Sequence, residues 1–471
     1  MSGSSNHSSE IKAILGGIIV TVDKERRIIK DGVIVVEGDR IVDIGTKTEV
    51  SVPQGAEKFV LSEKHVITPG LVNCHTHAAM TLLRGYADDL ALDTWLYNYI
   101  FPLEAKLQGE DVYLGAKIAA VESALSGTTV INSMYHFSPS EAKAISEIGI
   151  RASVGHVCFS WRKDLDRKST RELARDWHGK ANGLIRVSVD PHAPYTVDPE
   201  YWQELRDLTN ELNNKYGKEN APVIIHTHIA ETEDEVQKTK EFLKSQNMEN
   251  DFWKKKPNSG VFEYLDSLDF FIPDGKKESD VISAHSVATT PGDRKIMQEK
   301  GIKVSFNPVS NLKLASGHAP IPDYLEKGIT VGLGTDSACS NNTLSLIDTL
   351  RIAALLHKGY IKDPVVLPAQ KILEMATING ARALGWDSEI GSLEPGKKAD
   401  LVIFDFAKPH LTPLYSVVSH IVYTLYSSDP ESVLVNGDWV VKNREVTNVQ
   451  LSELIEDVEE RKEDILNRLK E

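Results

Sequence analysis

Short apolar runs alternate with longer amphipathic stretches from Pro69 to about Leu384, and this alternation constrains the fold more than any other feature of the chain. Eight runs qualify as strands. They end at His77, at Val130-Ile131-Asn132, at Ala152-Ser153-Val154, at Val187-Ser188-Val189-Asp190, at Val223-Ile224-Ile225-His226, at Val281-Ile282-Ser283-Ala284, at Val304-Ser305-Phe306 and at Val331-Gly332-Leu333-Gly334. Each is followed by helix-like or loop material, so the reading is an α/β chain closed into a parallel (β/α)8 barrel. Within the first unit, Val66, Ile67, Leu71 and Val72 read as one short buried strand kinked at Pro69-Gly70.

The flanks have a different period. From Ile11 to Val66 the pattern is short β segments, with a hairpin over residues 32–45 turning at Gly38-Asp39. β character returns in residues 399–405 and 433–441. The two chain ends are therefore expected to build one β-sandwich (11–68 with 385–450) around an inserted barrel (69–384). The Ser-rich segment 1–10 reads as a disordered tail, and 451–471 as a charged amphipathic helix for the surface or a subunit contact.

Composition narrows the partners. Lys and Arg number 53 against 68 Asp and Glu, a formal charge of −15. An acidic chain repels phosphate backbones and anionic lipid, which argues against nucleic acid and membrane surfaces. No apolar run approaches the roughly 18 residues of a membrane span. The three cysteines, Cys74, Cys158 and Cys339, are too few and odd in number for a disulfide framework and fit a reducing cytoplasm.

The chemistry-bearing residues fall at the C-terminal ends of the expected strands, where barrel enzymes build their sites. His75 and His77 are two apart on a strand and face one way. The fifth strand brings His226 and His228, which the residues alone do not separate; the sixth brings His285 and the eighth Asp336. Three imidazoles and a carboxylate in one ring suit Zn²⁺, with Fe²⁺ as the alternative. Such an ion lowers the pKa of a water toward neutrality. Glu231, three residues past His228, can carry a proton between that water and a substrate nitrogen; it can equally serve an acidic helix start in Glu231-Thr232-Glu233-Asp234-Glu235.

HTH after the first strand, HTHIAE after the fifth, SAH after the sixth and GTDSACSNN after the eighth together resemble the amidohydrolase superfamily over about residues 11–450. The resemblance implies a distorted (β/α)8 barrel with a flanking β-sandwich. It assigns His75, His77, His228 and Asp336 as ligands of one metal ion, and Glu231, His285 and Asp336 as catalytic groups. Binuclear members carry a carboxylated Lys at the end of strand four; Val189-Asp190-Pro191-His192 has none, which favours a mononuclear deaminase.

Residues 80–90 with Trp95 and Phe101-Pro102-Leu103-Glu104, residues 191–196, and residues 307–317 resemble more closely the 5-methylthioadenosine/S-adenosylhomocysteine deaminases, including the 5′-deoxyadenosine deaminases. By that resemblance Glu104 holds the ribose 2′- and 3′-hydroxyls, Trp95 packs near the ribose and 5′ group, and His192 bonds the purine at N3. The implied reaction is hydrolysis of the adenine 6-amino group, with Glu231 protonating N1 and His285 and Asp336 handling the water. A substrate carboxylate at the 5′ end would need a cation, for which Arg151, Arg162 and Arg167 are candidates; His156, Phe159 and Trp161 could instead shape an apolar pocket. Competing readings are a guanine deaminase, a triazine or aryl-chloride hydrolase, and, from another class, a metal-free scaffold. The resemblance also implies a homo-oligomer such as a tetramer.

Overall fold

The computed structural model describes residues 11–218, 221–272, 275–276 and 278–470; the segment read as a disordered tail, 1–10, lies outside them. Eight parallel strands close into a barrel in chain order: β1 (Leu71–Thr76), β2 (Thr128–Tyr135), β3 (Arg151–Cys158), β4 (Ile185–Pro191), β5 (Ile224–Ile229), β6 (Val281–His285), β7 (Lys303–Phe306) and β8 (Val331–Leu333). The residues of β1 and β2 are buried throughout, as expected of strands covered on both sides.

The barrel closes weakly in backbone terms, because β8 and β1 pair at Leu333 and Asn73. The Asn73 side chain makes up the difference. Its amide donates to Thr335 Oγ1 (2.7 Å), and its carbonyl oxygen accepts from the Thr335 N–H (3.0 Å). One step on, the Asp336 N–H donates to the His75 carbonyl (2.9 Å), so the two strand ends that carry His75 and Asp336 are tied together.

Two sheets flank the barrel. One has four strands in the order Arg40–Thr46, Gly32–Glu37, Ile11–Leu15, Glu57–Val60; the other has seven and draws on both ends of the chain. At the centre of the second, Leu401–Asp405 runs antiparallel to His65–Pro69, with Leu401 opposite Pro69. Ile14, Ile34, Val36 and Ile41 pack against Ile19, Ile67, Leu401 and Leu434 between the sheets. The expected hairpin turns at Gly38-Asp39, with Glu37 opposite Arg40. A second tight hairpin turns at Asn436-Gly437 and abuts the first: a Cβ on Gly437 would run into the Gly38 carbonyl.

Two expectations change and a third, the surface helix, becomes specific. The run through Val66 and Val72 is two strands: Pro69 ends a sandwich strand, and Gly70, whose N–H donates to Asp400, passes the chain into β1. Strand β2 continues past Asn132 to Tyr135. The helix Leu451–Lys470 packs on its own chain. Ile465 and Leu469 join Trp95, Ile100, Leu103 and Leu107, and Arg468 pairs with the buried Asp111 at 2.8 Å. Among the described residues no helix is long and apolar enough to cross a membrane.

Candidate active site

The C-terminal ends of β1, β5, β6 and β8 converge on one point. Asp336 Oδ1 lies 3.3 Å from His75 Nε2 and 3.4 Å from His77 Nε2, and His77 Nε2 is 3.4 Å from His228 Nε2. Donor atoms of His75, His77 and Asp336 all lie within 4.8 Å of one another, as do those of His75, His228 and His285. The carbonyls behind the imidazoles already select their tautomers. His77 Nδ1 donates to the Met134 carbonyl (2.7 Å) and His228 Nδ1 to the His192 carbonyl (2.8 Å), leaving both Nε2 lone pairs turned to the shared point. His75 Nε2 is buried and makes no hydrogen bond. Burial keeps the His75 and His228 imidazoles well below their usual pKa, so they are neutral and ready to ligate without shedding a proton. An orphaned buried nitrogen beside neutral imidazoles and a carboxylate fits a divalent cation.

His226 and His228 separate by depth. Both face the barrel interior, but His226 lies two residues deeper, is fully buried and does not reach the cavity; its Nε2 meets His75 Nδ1 at 2.8 Å. His285 and Asp336 sit in the left-handed backbone region, at φ of +70° and +63°. Non-glycine residues there cost about 1–3 kcal/mol each and persist where surroundings hold them. Here the holding contacts are Asn311 Oδ1, which accepts from His285 Nδ1 (2.8 Å), and Ser310 Oγ, which donates to Asp336 Oδ2 (2.5 Å).

Glu231 lies just past β5, almost fully buried, with Oε1 3.8 Å from His285 Nε2. Burial raises its carboxyl above the ordinary glutamate range, against the pull of His285. The helix-start alternative belongs to Glu235, which heads the helix Glu235–Ser245 and accepts the N–H groups of Ala230 (2.7 Å) and Glu231 (2.8 Å). Glu231 is thereby aimed by its own backbone, and its side chain lines the cavity.

That cavity opens over the cluster and is walled by Met80, Leu92, Leu96, Met134, Val157 and Leu314. Glu104, Trp95 and His192 all line it. Glu104 is largely withdrawn from solvent, and its apolar setting pushes the carboxyl up to about 7, against Tyr135 and Arg162. Burial holds His192 down to about 3; its Nδ1 meets Thr196 Oγ1 at 2.9 Å. A second cavity continues from Glu104 past His156, Phe159 and Trp161, whose last two rings stack at 4.5 Å.

Of the three arginines, only Arg162 lines this extension, and its guanidinium is engaged with Asp166 (3.0 Å) and His136 Nδ1 (3.2 Å). Arg151 is excluded as a substrate contact. It begins β3 and so lies at the opposite end of the barrel, fully buried against Asp400 at 2.5 and 3.0 Å. Arg167 faces outward to Asp164 and Glu204. Among the lining residues that the sequence does not single out, two carry polar groups: Tyr135 and His136, at the end of β2. They obey the same rule that strand ends carry chemistry, because β2 extends three residues beyond Asn132 to Tyr135.

Residues 66–440 match the amidohydrolase family. This chain belongs to that family. It is 39% identical over 460 residues to a 5′-deoxyadenosine deaminase of Methanosarcina mazei, covering 97% of this chain and 98% of the relative. It is 38% identical over 454 residues to a 5-methylthioadenosine/S-adenosylhomocysteine deaminase of Thermoanaerobacter pseudethanolicus, covering 96% and 98%. Among solved structures, an adenosine deaminase from Xanthomonas campestris with bound zinc superposes with a TM-score of 0.86 at 30% identity, covering 97% of this amidohydrolase and 98% of that chain. Triazine hydrolases at 20% identity (TM-score 0.83) share the fold.

Proposed function

We propose that this amidohydrolase is a metal-dependent hydrolytic deaminase that replaces the 6-amino group of an adenine nucleoside with oxygen and releases ammonia. The observation that carries the reading is one cavity with a cation-ready cluster and a buried acid at its floor and a second carboxylate, Glu104, on its wall. The names of the relatives at 38–39% identity supply the substrate class.

His75, His77, His228 and Asp336 would hold a single Zn²⁺, with Fe²⁺ as the alternative. Such an ion supplies Lewis acidity that brings a water toward ionisation near pH 7. His285 and Asp336 orient that water toward C6 and accept its proton. Glu231, whose carboxyl burial raises above the ordinary glutamate range, gives a proton to N1 and so makes C6 electrophilic. Proton return to the amine lets ammonia leave, and the base keeps the incoming oxygen at C6. Glu104 accepts both ribose hydroxyls, a charge-assisted clamp. His192 bonds the purine at N3 with Nε2 as donor, which requires the Thr196 hydroxyl to turn its proton to Nδ1. Trp95 packs near the ribose.

The aromatic extension past Phe159 and Trp161 suits an apolar 5′ group, and the Arg162 guanidinium is already engaged. The expected order is therefore 5′-deoxyadenosine and methylthioadenosine ahead of S-adenosylhomocysteine. The full donor set argues against a metal-free scaffold. Three buried free cysteines fit the reducing cytoplasm, and the family resemblance fits a homo-oligomer. The test is loss of adenine ultraviolet absorbance with the three nucleosides and adenosine, with guanine and a chlorotriazine as rival substrates. Turnover of a rival alone, or of nothing by the zinc-loaded protein, rejects the assignment.

A further inference from the structure

The three imidazoles of the cluster are not held alike. His77 and His228 each give their Nδ1 proton to a backbone carbonyl, which can only accept. His75 Nδ1 instead meets the nitrogen of another imidazole, His226 Nε2, at 2.8 Å, and either nitrogen could carry the shared proton. An imidazole can accept at that nitrogen only if its own proton sits on the other one. His226 Nδ1 is buried, makes no hydrogen bond, and lies 3.5 Å from Asp190 Oδ2. Both Asp190 oxygens are likewise buried without a hydrogen-bond partner, on a residue fully removed from solvent. The barrel makes room for this carboxyl deliberately: Gly155 on the neighbouring strand β3 leaves the space it fills, and a Cβ there would collide with all three atoms of the Asp190 carboxyl group.

We propose that Asp190 and His226 are positioning residues that set the tautomer of His75. Resting on the metal-site reading above, the chain of protons runs in one direction. Asp190 Oδ2, facing His226 Nδ1 at 3.5 Å, is the acceptor that favours the His226 proton on Nδ1, even as burial pushes the Asp190 carboxyl up; His226 Nε2 then accepts from His75 Nδ1–H; His75 Nε2 is left as a lone pair facing the cation. Reversing the first link reverses the rest and puts a proton on the ligating nitrogen. Outer partners of ligating histidines of this kind are worth 10- to 100-fold in metal affinity. The unpaired carboxyl therefore occupies the strand-four position in a role different from bridging two ions.

The test is zinc affinity of the purified full chain by chelator competition, with the melting midpoint of the metal-free protein read alongside. Asp190→Asn is expected to weaken zinc binding about 10- to 100-fold with an unchanged metal-free midpoint. His226→Gln, whose amide oxygen can still accept from His75, is expected to retain more affinity than His226→Leu, which cannot. Wild-type affinity in Asp190→Asn, or equal affinities for the two His226 variants, overturns the relay while leaving the deaminase reading standing. Failure of the unmodified protein to bind zinc overturns both. Loss of deamination with zinc affinity unchanged in every variant overturns the relay alone.

Discussion

At the scale of single residues, the proposed roles divide between holding a cation and moving protons; Asp336 is assigned to both, whereas Glu231 can be altered without removing a proposed ligand. Glu231 touches none of the converging nitrogens closely except His285. Glu231→Gln is expected to lower kcat by about 10²- to 10⁴-fold, the usual worth of a positioned acid or base, with metal content by elemental analysis equal to that of the unmodified protein. Loss of metal would mean that Glu231 is a ligand. Glu104 gives a pH signature. With its carboxyl pushed up to about 7, it is half protonated at neutrality, and only the ionised form accepts two hydroxyl bonds. KM for the nucleoside is expected to rise as pH falls through 7 and to level off above it. In Glu104→Gln that dependence should vanish and KM should be high throughout, as initial rates across pH 5.5–8.5, a range of about one to two units around that value, would show.

At the scale of elements, side chains do work that backbone ladders leave undone. Asn73 closes the β8–β1 seam through two bonds to Thr335. Asn73→Ala strands buried polar groups and is expected to cost about 1–3 kcal/mol in denaturant unfolding. A null effect would show that the seam is held elsewhere. The elements also explain what could be read in advance. His75, His77, His228, His285 and Asp336 sit in short motifs at strand ends, so local pattern was enough to single them out. His226 and His228 share a face, and only depth along β5, set by the barrel's three-dimensional stagger, tells them apart. Arg151 is a candidate only by nearness in sequence to the β3 loop; because β3 runs on to Cys158, its first residue lies a full strand length away, at the other end of the barrel. The Pro69-Gly70 kink was visible, but not that it divides two sheets, since both halves are equally apolar. The Asp190–His226 contact joins different strands and has no linear signature.

At the scale of the whole molecule, the terminal helix and the flanking sheets belong to the site's support. Ile465 and Leu469 pack under Trp95, Ile100 and Leu103, and Arg468 holds Asp111 and the Lys106 carbonyl (2.7 Å). A variant ending at residue 450 is expected to keep its metal content but to show a raised KM with a smaller change in kcat, because the cavity wall loosens while the floor stays. Equal KM values would assign the helix a purely external role. The pairing of Leu401–Asp405 with His65–Pro69 reaches further still. The strand entering β1 from the sandwich gains this central neighbour only after the entire barrel has been translated. Until then it leans on one side alone, against Ile18–Val20, so a nascent or clipped chain that stops inside the barrel presents the HTH segment from a half-built sheet and should be a poor scavenger of divalent metal.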